Sequence, residues 1–385
     1  MRDDGGVARP WIELERLGLD AGLDVMAATS AEPFKDVEEV LTDRAGQGLA
    51  GSMQFTYRNP ARSTDPSRTL PGVRTLISGA ASYHRDPPPA PDGPVGRVAR
   101  YVWANDHERL MAGLNALCAA LEEDGHRACV VSDQNHLVDR AVAHRSGLGW
   151  FGKNSNLLLS GQGSWFVLGT VLTDADLDDA PRKEPIGDGC GTCERCIPAC
   201  PTNAIVAPGV IDARRCLSWS LQSEGSFPMD QRVALGDRIY GCDECQDVCP
   251  PNRLELRRST PGGSGQPVPL GDPKRSWAQL LEMLASTDEE LLERHGRWYI
   301  PKRQARYLRR NAIIVLGNTG SGSDNQVRAA LGEALRSDDA VIRSSAVWSA
   351  RRLGCDDLLM AVENDQDPMV QEEMSAEVPP KREER

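Results

Sequence analysis

The chain has 385 residues, enough for two or three domains, each with its own core. Its 56 Asp and Glu outweigh 44 Lys and Arg for a formal charge of −12, which argues against nucleic-acid binding over the whole surface but leaves room for a local basic patch. No apolar run reaches the length of a signal-peptide core or a membrane span, so a cytoplasmic protein without membrane attachment is expected, whose thiolates serve metals rather than disulfides.

Residues 9–45 open with helical spacing (Trp11, Leu14, Leu17, Leu19) and continue with a polar stretch, predicting two short helices. Within the Pro, Arg and Gly-rich residues 50–100, the run Thr75 to Tyr83 predicts a buried strand. Residues 106–123 place Leu110, Leu114, Leu117 and Leu121 at helical spacing, with Cys118 packed among them. A strand from Ala128 to Ser132 carrying Cys129, a helix from about Val138 to Ser146 ended by Gly147-Leu148-Gly149, and a strand from Trp165 to Thr173 follow. This alternation is an α/β plan for residues 1–180.

Eight of the eleven cysteines then fall between Cys190 and Cys249. Cys190, Cys193, Cys196 and Cys200, with Pro201, spell C-x2-C-x2-C-x3-C-P; Cys242, Cys245 and Cys249, with Pro250, repeat its ending, and Cys216 fills the place of the missing first cysteine of this second run. In bacterial-ferredoxin-like two-cluster domains the last cysteine of each run ligates the other run's cluster. That rule assigns Cys190, Cys193, Cys196 and Cys249 to one 4Fe-4S cluster, and Cys200, Cys216, Cys242 and Cys245 to a second, in a domain over residues 181–257. Paired zinc knuckles also use C-x2-C, but the complete four-cysteine run selects iron and sulfur.

Residues 258–275 read as a Pro and Gly-rich linker. Beyond it, RYLRRNAIIVLG at 306–317 and RSSAVWSARRLG at 343–354 lie 37 residues apart and suggest two stacked helical hairpins over 276–365, an all-α HEAT-like repeat. Cys355 in this repeat has no visible partner, and the charged tail 371–385 is expected to be disordered. Between Arg294 and Arg310, Arg297, Lys302, Arg303, Arg306 and Arg309 complete seven cations without an acid, interleaved with Trp298, Tyr299 and Tyr307. Such a run reads either as a phosphate-tracking surface or as a solvated helical face.

Two clusters alone describe an electron carrier, yet about 180 residues precede them. Asp133, at a strand end, is placed either to donate a proton to a substrate or to cap the following helix. Gly149-Trp150-Phe151-Gly152-Lys153-Asn154 is a turn whose backbone can approach a flat cofactor. His136, three residues beyond Asp133, reads either as a tuner of that carboxyl or as an exposed helix-start histidine.

The Asp133-x3-Leu137-x-Asp139-Arg140-Ala141 pattern, GLGWFGKN at 147–154, GSWFVLG at 163–169, the eight cysteines, DARRC at 212–216, YGCDECQDVCPPN at 240–252 and YLRRNAIIVLGN at 307–318 together resemble epoxyqueuosine reductases. The resemblance runs from roughly residue 48 to 318. It implies an oxidoreductase with an α/β cobalamin-binding N-terminal domain, two 4Fe-4S clusters, and reduction of epoxyqueuosine to queuosine in tRNA. It makes Asp133 the proton donor. It places Arg58, Tyr101, Asp133, Lys153, Asn154, Leu157, Ser164, Leu168 and Trp219 around cobalamin, and gives the C-terminal repeat, with its basic segment, a role in holding the tRNA. An external low-potential electron donor and a monomeric state are expected with it. The chain departs from the family at His136, Thr170 and His107-Glu108, positions expected on the substrate side. A paralogue acting on another substrate, or an electron carrier without corrin, are the competing functions.

Overall fold

The computed structural model describes residues 8–253 and 271–381. The linker reading for 258–275 falls largely outside them. The chain divides into two compact units: the first takes residues up to Arg85, Ala104–Arg214 and the segment from Glu244; the second takes Asp86–Trp103, Arg215–Asp243 and the chain from Leu270 onward. This redraws the expected division at 1–180, 181–257 and 276–365. Val98, Val102 and Trp103 join the core of Leu217, Ile239 and Leu308, so residues 86–103 leave the N-terminal unit.

In the first unit, helix α1 (Trp11–Asp20), strand β1 (Val25–Ser30), helix α2 (Lys35–Gly46) and strand β2 (Thr75–Ser82) precede helix α3 (Asp106–Glu123), strand β3 (Ala128–Val131), helix α4 (Asp139–Arg145) and strand β4 (Phe166–Thr173). The sheet order is β1-β2-β4-β3, and every pairing is antiparallel. The expected elements are present, β1 is additional, and the sheet direction corrects the α/β plan to a layered α+β arrangement. Period-2 alternation splits the strands between two cores. Ile77 and Val171 meet α1 and α3 through Trp11, Leu14, Leu110, Leu114 and Leu117; Leu76, Val131 and Leu172 meet α4 through Leu137, Ala141 and Val142. Cys118 and Cys129 border these cores.

The second unit joins a three-stranded sheet, Arg238–Tyr240, Val95–Val98 and Trp277–Gln279, to helices α5 (Arg306–Thr319), α6 (Asn325–Ala334), α7 (Ala340–Arg352) and α8 (Pro368–Ser375). Asp324, Asp339 and Asp367 cap α6, α7 and α8 through their side chains. Helices α5 and α7 pack together, with Ser349 Oγ donating to the Ile313 carbonyl at 2.8 Å. Cys355 is a buried core residue there.

The tail expected to be disordered is ordered from residue 371 to 381. In α8, Val370 is fully buried, and the almost buried Glu373 pairs with Arg232 at 2.5 Å. Lys381 donates to the carbonyls of Thr319 and Gly320. The charges that suggested a solvated tail thus have internal partners.

The basic segment is corrected in the same way. Arg310 has no exposed surface and donates to the carbonyls of Ser220, Leu221, Ser223 and Gly225; burial pulls its guanidinium down to about 9. Arg306 pairs with Asp339 and Arg309 with Asp288, while Arg294 pairs with Glu282. Arg297 donates to the Val102 carbonyl. Lys302 and Arg303 are exposed, although Lys302 pairs with Glu224 at 2.6 Å. Arg310→Met should therefore act on stability, taking the Arg310 donor from the carbonyls of Ser223 and Gly225, while those of Ser220 and Leu221 keep Ser223 Oγ and Asn311 Nδ2, and leaving the core without its guanidinium. We expect a loss of about 3–5 kcal/mol, read as a lowered urea midpoint at unchanged iron content.

Candidate active site and iron-sulfur module

None of the eleven cysteines is in a disulfide. Cys196 opens one short helix (Cys196–Ala199) and Cys245 lies in another (Glu244–Asp247); the two pack against each other. Burial pushes the Cys249 thiol up to about 11, and it also feels the charges of Cys190, Cys196 and Cys193. Cys196 likewise senses Cys190 and Cys193. The four thiols assigned to the first cluster are therefore neighbours. Backbone and amide donors point at two of the other sulfurs: Ala204 N–H donates to Cys200 Sγ at 3.1 Å, and Asn156 Nδ2 to Cys245 Sγ at 3.9 Å. Thiols outside any disulfide, with N–H donors aimed at sulfur, are a donor set suited to iron-sulfur cubanes.

The turn expected to cradle a cofactor is hydrogen-bonded to this module. Lys153 Nζ donates to the Gly191 carbonyl at 2.9 Å and lies 3.5 Å from Glu194. The Lys153 carbonyl accepts from Gly209 N–H. Buried Asn154 donates to the Cys245 carbonyl at 3.2 Å. Arg140 extends the chain of bonds from α4: its Nη1 donates to the Ser155 carbonyl at 2.7 Å, and Ser155 Oγ donates to the Gly209 carbonyl at 2.8 Å.

Ser164 is also engaged. Its N–H and hydroxyl meet Asn252, and Gln246 Nε2 donates to its hydroxyl at 3.1 Å and to Tyr83 Oη at 3.2 Å. Gly163, with φ of +77°, cannot be replaced here, because a Cβ would lie 2.1 Å from Asn252 Oδ1. Leu157 is buried in the core with Leu148 and Leu159. Arg58 is exposed, and Leu168 is half-buried with its carbonyl accepting from Ser132 Oγ at 2.8 Å. In the second unit Tyr101 lies near Tyr240, ring centroids 6.0 Å apart, and Trp219 is half-buried on Leu217–Ser220.

Asp133 follows β3 in the left-handed region, φ +51°, which Asp and Asn tolerate better than most residues. It does not cap α4, whose N-cap is Val138 without a side-chain bond. Its side chain is exposed, yet desolvation by the surrounding chain raises its carboxyl pKa; His107 opposes the rise. Ser132 Oγ spends its proton on Leu168, so it accepts from His107 Nε2–H at 3.2 Å, which fixes that tautomer.

His107, one of the departures, thus stands beside Asp133. His136 is half-buried, not exposed, and its Nδ1 has no partner among the described residues. Thr170 lies mid-sheet opposite Ser78, fully buried. Sequence reasoning missed the roles of Arg140, Gln246 and Asn252. Asn252 stands three residues after Cys249 in the quoted CPPN ending, which was the available signal.

Eight cysteines at this spacing define an iron-sulfur oxidoreductase, and residues 189–252 match the family model described as a 4Fe-4S double cluster binding domain. Residues 63–134 match the model described as epoxyqueuosine reductase QueG, DUF1730. An epoxyqueuosine reductase of Xanthomonas campestris pv. campestris is 32% identical over 89% of this chain and 95% of its own length. The crystal structure of an epoxyqueuosine reductase with an epoxyqueuosine-modified tRNA-TYR stem loop superposes with a TM-score of 0.83 at 29% identity, covering 94% of this chain and 96% of that one. A Bacillus subtilis epoxyqueuosine reductase, solved with its catalytic Asp loop swung out of the active site, gives 0.82 at 28% identity with the same coverage. The chain belongs to the epoxyqueuosine reductase family.

Proposed function

We propose that this chain reduces epoxyqueuosine to queuosine in tRNA, using cobalamin and two 4Fe-4S clusters, with Asp133 as proton donor. The observation that carries the reading is the line of hydrogen bonds from α4, through Arg140, Ser155 and Gly209, to the turn that also holds the cluster loops at Gly191 and Cys245. It couples the helix that follows Asp133 to the cluster loops of the first unit.

The reaction takes up two electrons and two protons, opens the epoxide and releases water. Asp133, exposed yet partly desolvated, is suited to give one of those protons. Cobalamin, when bound, would supply a cobalt centre that passes electrons from the clusters to the substrate carbon. The first unit's groups that remain open to it are Arg58, Asp133 and Leu168; Lys153, Asn154 and Ser164 serve by holding the cluster loops in register. Cys190, Cys193, Cys196 and Cys249 would hold one cluster, and Cys200, Cys216, Cys242 and Cys245 the other. Tyr299, Lys302 and Arg303, all exposed, are the segment's candidate tRNA contacts. Among the described residues no helix is long and apolar enough to cross a membrane. A cytoplasmic monomer served by an external low-potential donor completes the proposal.

Anaerobic reconstitution with iron, sulfide and cobalamin, followed by turnover with a reductant and epoxyqueuosine-containing tRNA, tests it. The expected result is about eight iron per chain, cobalamin retained through gel filtration, and queuosine among the digested nucleosides. Retained cobalamin with unchanged tRNA would point to a paralogue with another substrate. Iron without retained cobalamin would point to an electron carrier.

A further inference from the structure

Asp139, the first residue of α4, has no part in the reading above, yet it is the polar group most closely tied to Asp133. Its Oδ2 accepts the backbone N–H of Asp133 at 3.2 Å. Its Oδ1 is buried and has no hydrogen-bond partner among the described residues. A buried carboxylate oxygen without a donor is costly when ionised and much less so when it carries a proton. The N–H bond occupies Oδ2, so the proton belongs on Oδ1.

We propose that Asp139 is a positioning residue that forms a carboxyl pair with Asp133, holding its left-handed backbone in place and storing the proton that reloads it after each turnover. This rests on the reading of Asp133 as the proton donor. The one proton of the pair passes from Asp139 to Asp133 and from there to the substrate, and Asp139 is then reprotonated from solvent. No electron moves in this exchange.

The groups around the pair are consistent with one shared proton. Burial pushes the Asp139 carboxyl up to about 8, the like charge of Asp133 adds to the rise, and Arg140 opposes it. Arg140 is in turn near Tyr57, Tyr83 and Arg44, and His107 faces Asp133. Two carboxyls this closely linked ionise in steps that belong to the pair. Below about 8 the pair keeps a proton; above it the proton is lost, and turnover falls.

Asp139→Asn keeps an acceptor for the Asp133 N–H but cannot store a proton. The pair then depends on the carboxyl of Asp133 alone, which ionises at lower pH. Single-turnover rates should lose their alkaline limb at least about one pH unit earlier than wild type, and Asp139→Glu should restore it. Infrared spectra of the unloaded protein give an independent readout: a protonated-carboxyl band at pH 7 in wild type and in Asp133→Asn, absent in Asp139→Asn. A band that persists in Asp139→Asn, or a limb that does not move, would overturn the pair. Near-normal turnover by Asp133→Asn would instead overturn the donor reading, and the reloading role with it, whatever the infrared band shows.

Discussion

Asp133→Asn is expected to retain iron and cobalamin while its turnover on epoxyqueuosine-containing tRNA falls by a factor of about a hundred to ten thousand, the usual worth of a positioned general acid. The substitution isolates the proton. Asn occupies the left-handed region nearly as readily as Asp, so the φ of +51° is preserved. The backbone N–H that binds Asp139 is also unchanged. A capping role would have made Asn an adequate substitute, but α4 is capped at Val138 and takes no side-chain bond from Asp133. Full cofactor content with near-normal product formation would therefore refute the acid role.

The second large effect is expected at Cys216. Cys216→Ala should lose one cluster, about four of about eight iron, because each cubane is held by thiolates and no further cysteine stands near it in sequence. The set of Cys190, Cys193, Cys196 and Cys249 should keep its iron, since Cys249 lies beside the other three and none of them is altered. Iron quantification on anaerobically reconstituted protein reads the difference. Wild-type iron in the variant would make Cys216 a bystander and reopen the pairing of the second cluster.

The structure also changes what a test of RNA binding can use. Reversing Arg306, Arg309 and Arg310 looks, on sequence, like the removal of a phosphate-binding stripe. In the folded chain Arg310 is core and the other two are paired with Asp339 and Asp288, so the triple variant would report on folding. Seven cations without an acid in their own segment still found acids and carbonyls elsewhere, which local charge patterning cannot register.

What the sequence determined by itself was whatever local chemistry dictates. Cluster ligation demands thiols at close, repeated spacing, so all eight cysteines were legible. Helical periodicity placed α3 almost to the residue, and an uninterrupted apolar run placed β2. The position of Asp133 before a helix was visible too. Pairing and burial are properties of residues distant in the chain, and only the tertiary structure decided them. It made the sheet antiparallel, with β3 and β1 at its edges, and it exposed β1, whose VMAATS has too little apolar character to stand out. It moved residues 86–103 into the second unit, because Val98, Val102 and Trp103 find their core there. It ordered the tail through the buried contact of Glu373 with Arg232, 141 residues away. At the site it turned Lys153 and Asn154 toward the cluster loops and set Asp139 behind Asp133 with one oxygen unpartnered among the described residues. A carboxyl's cost depends on the donors and solvent that folding leaves to it, and six residues of spacing carry no record of either.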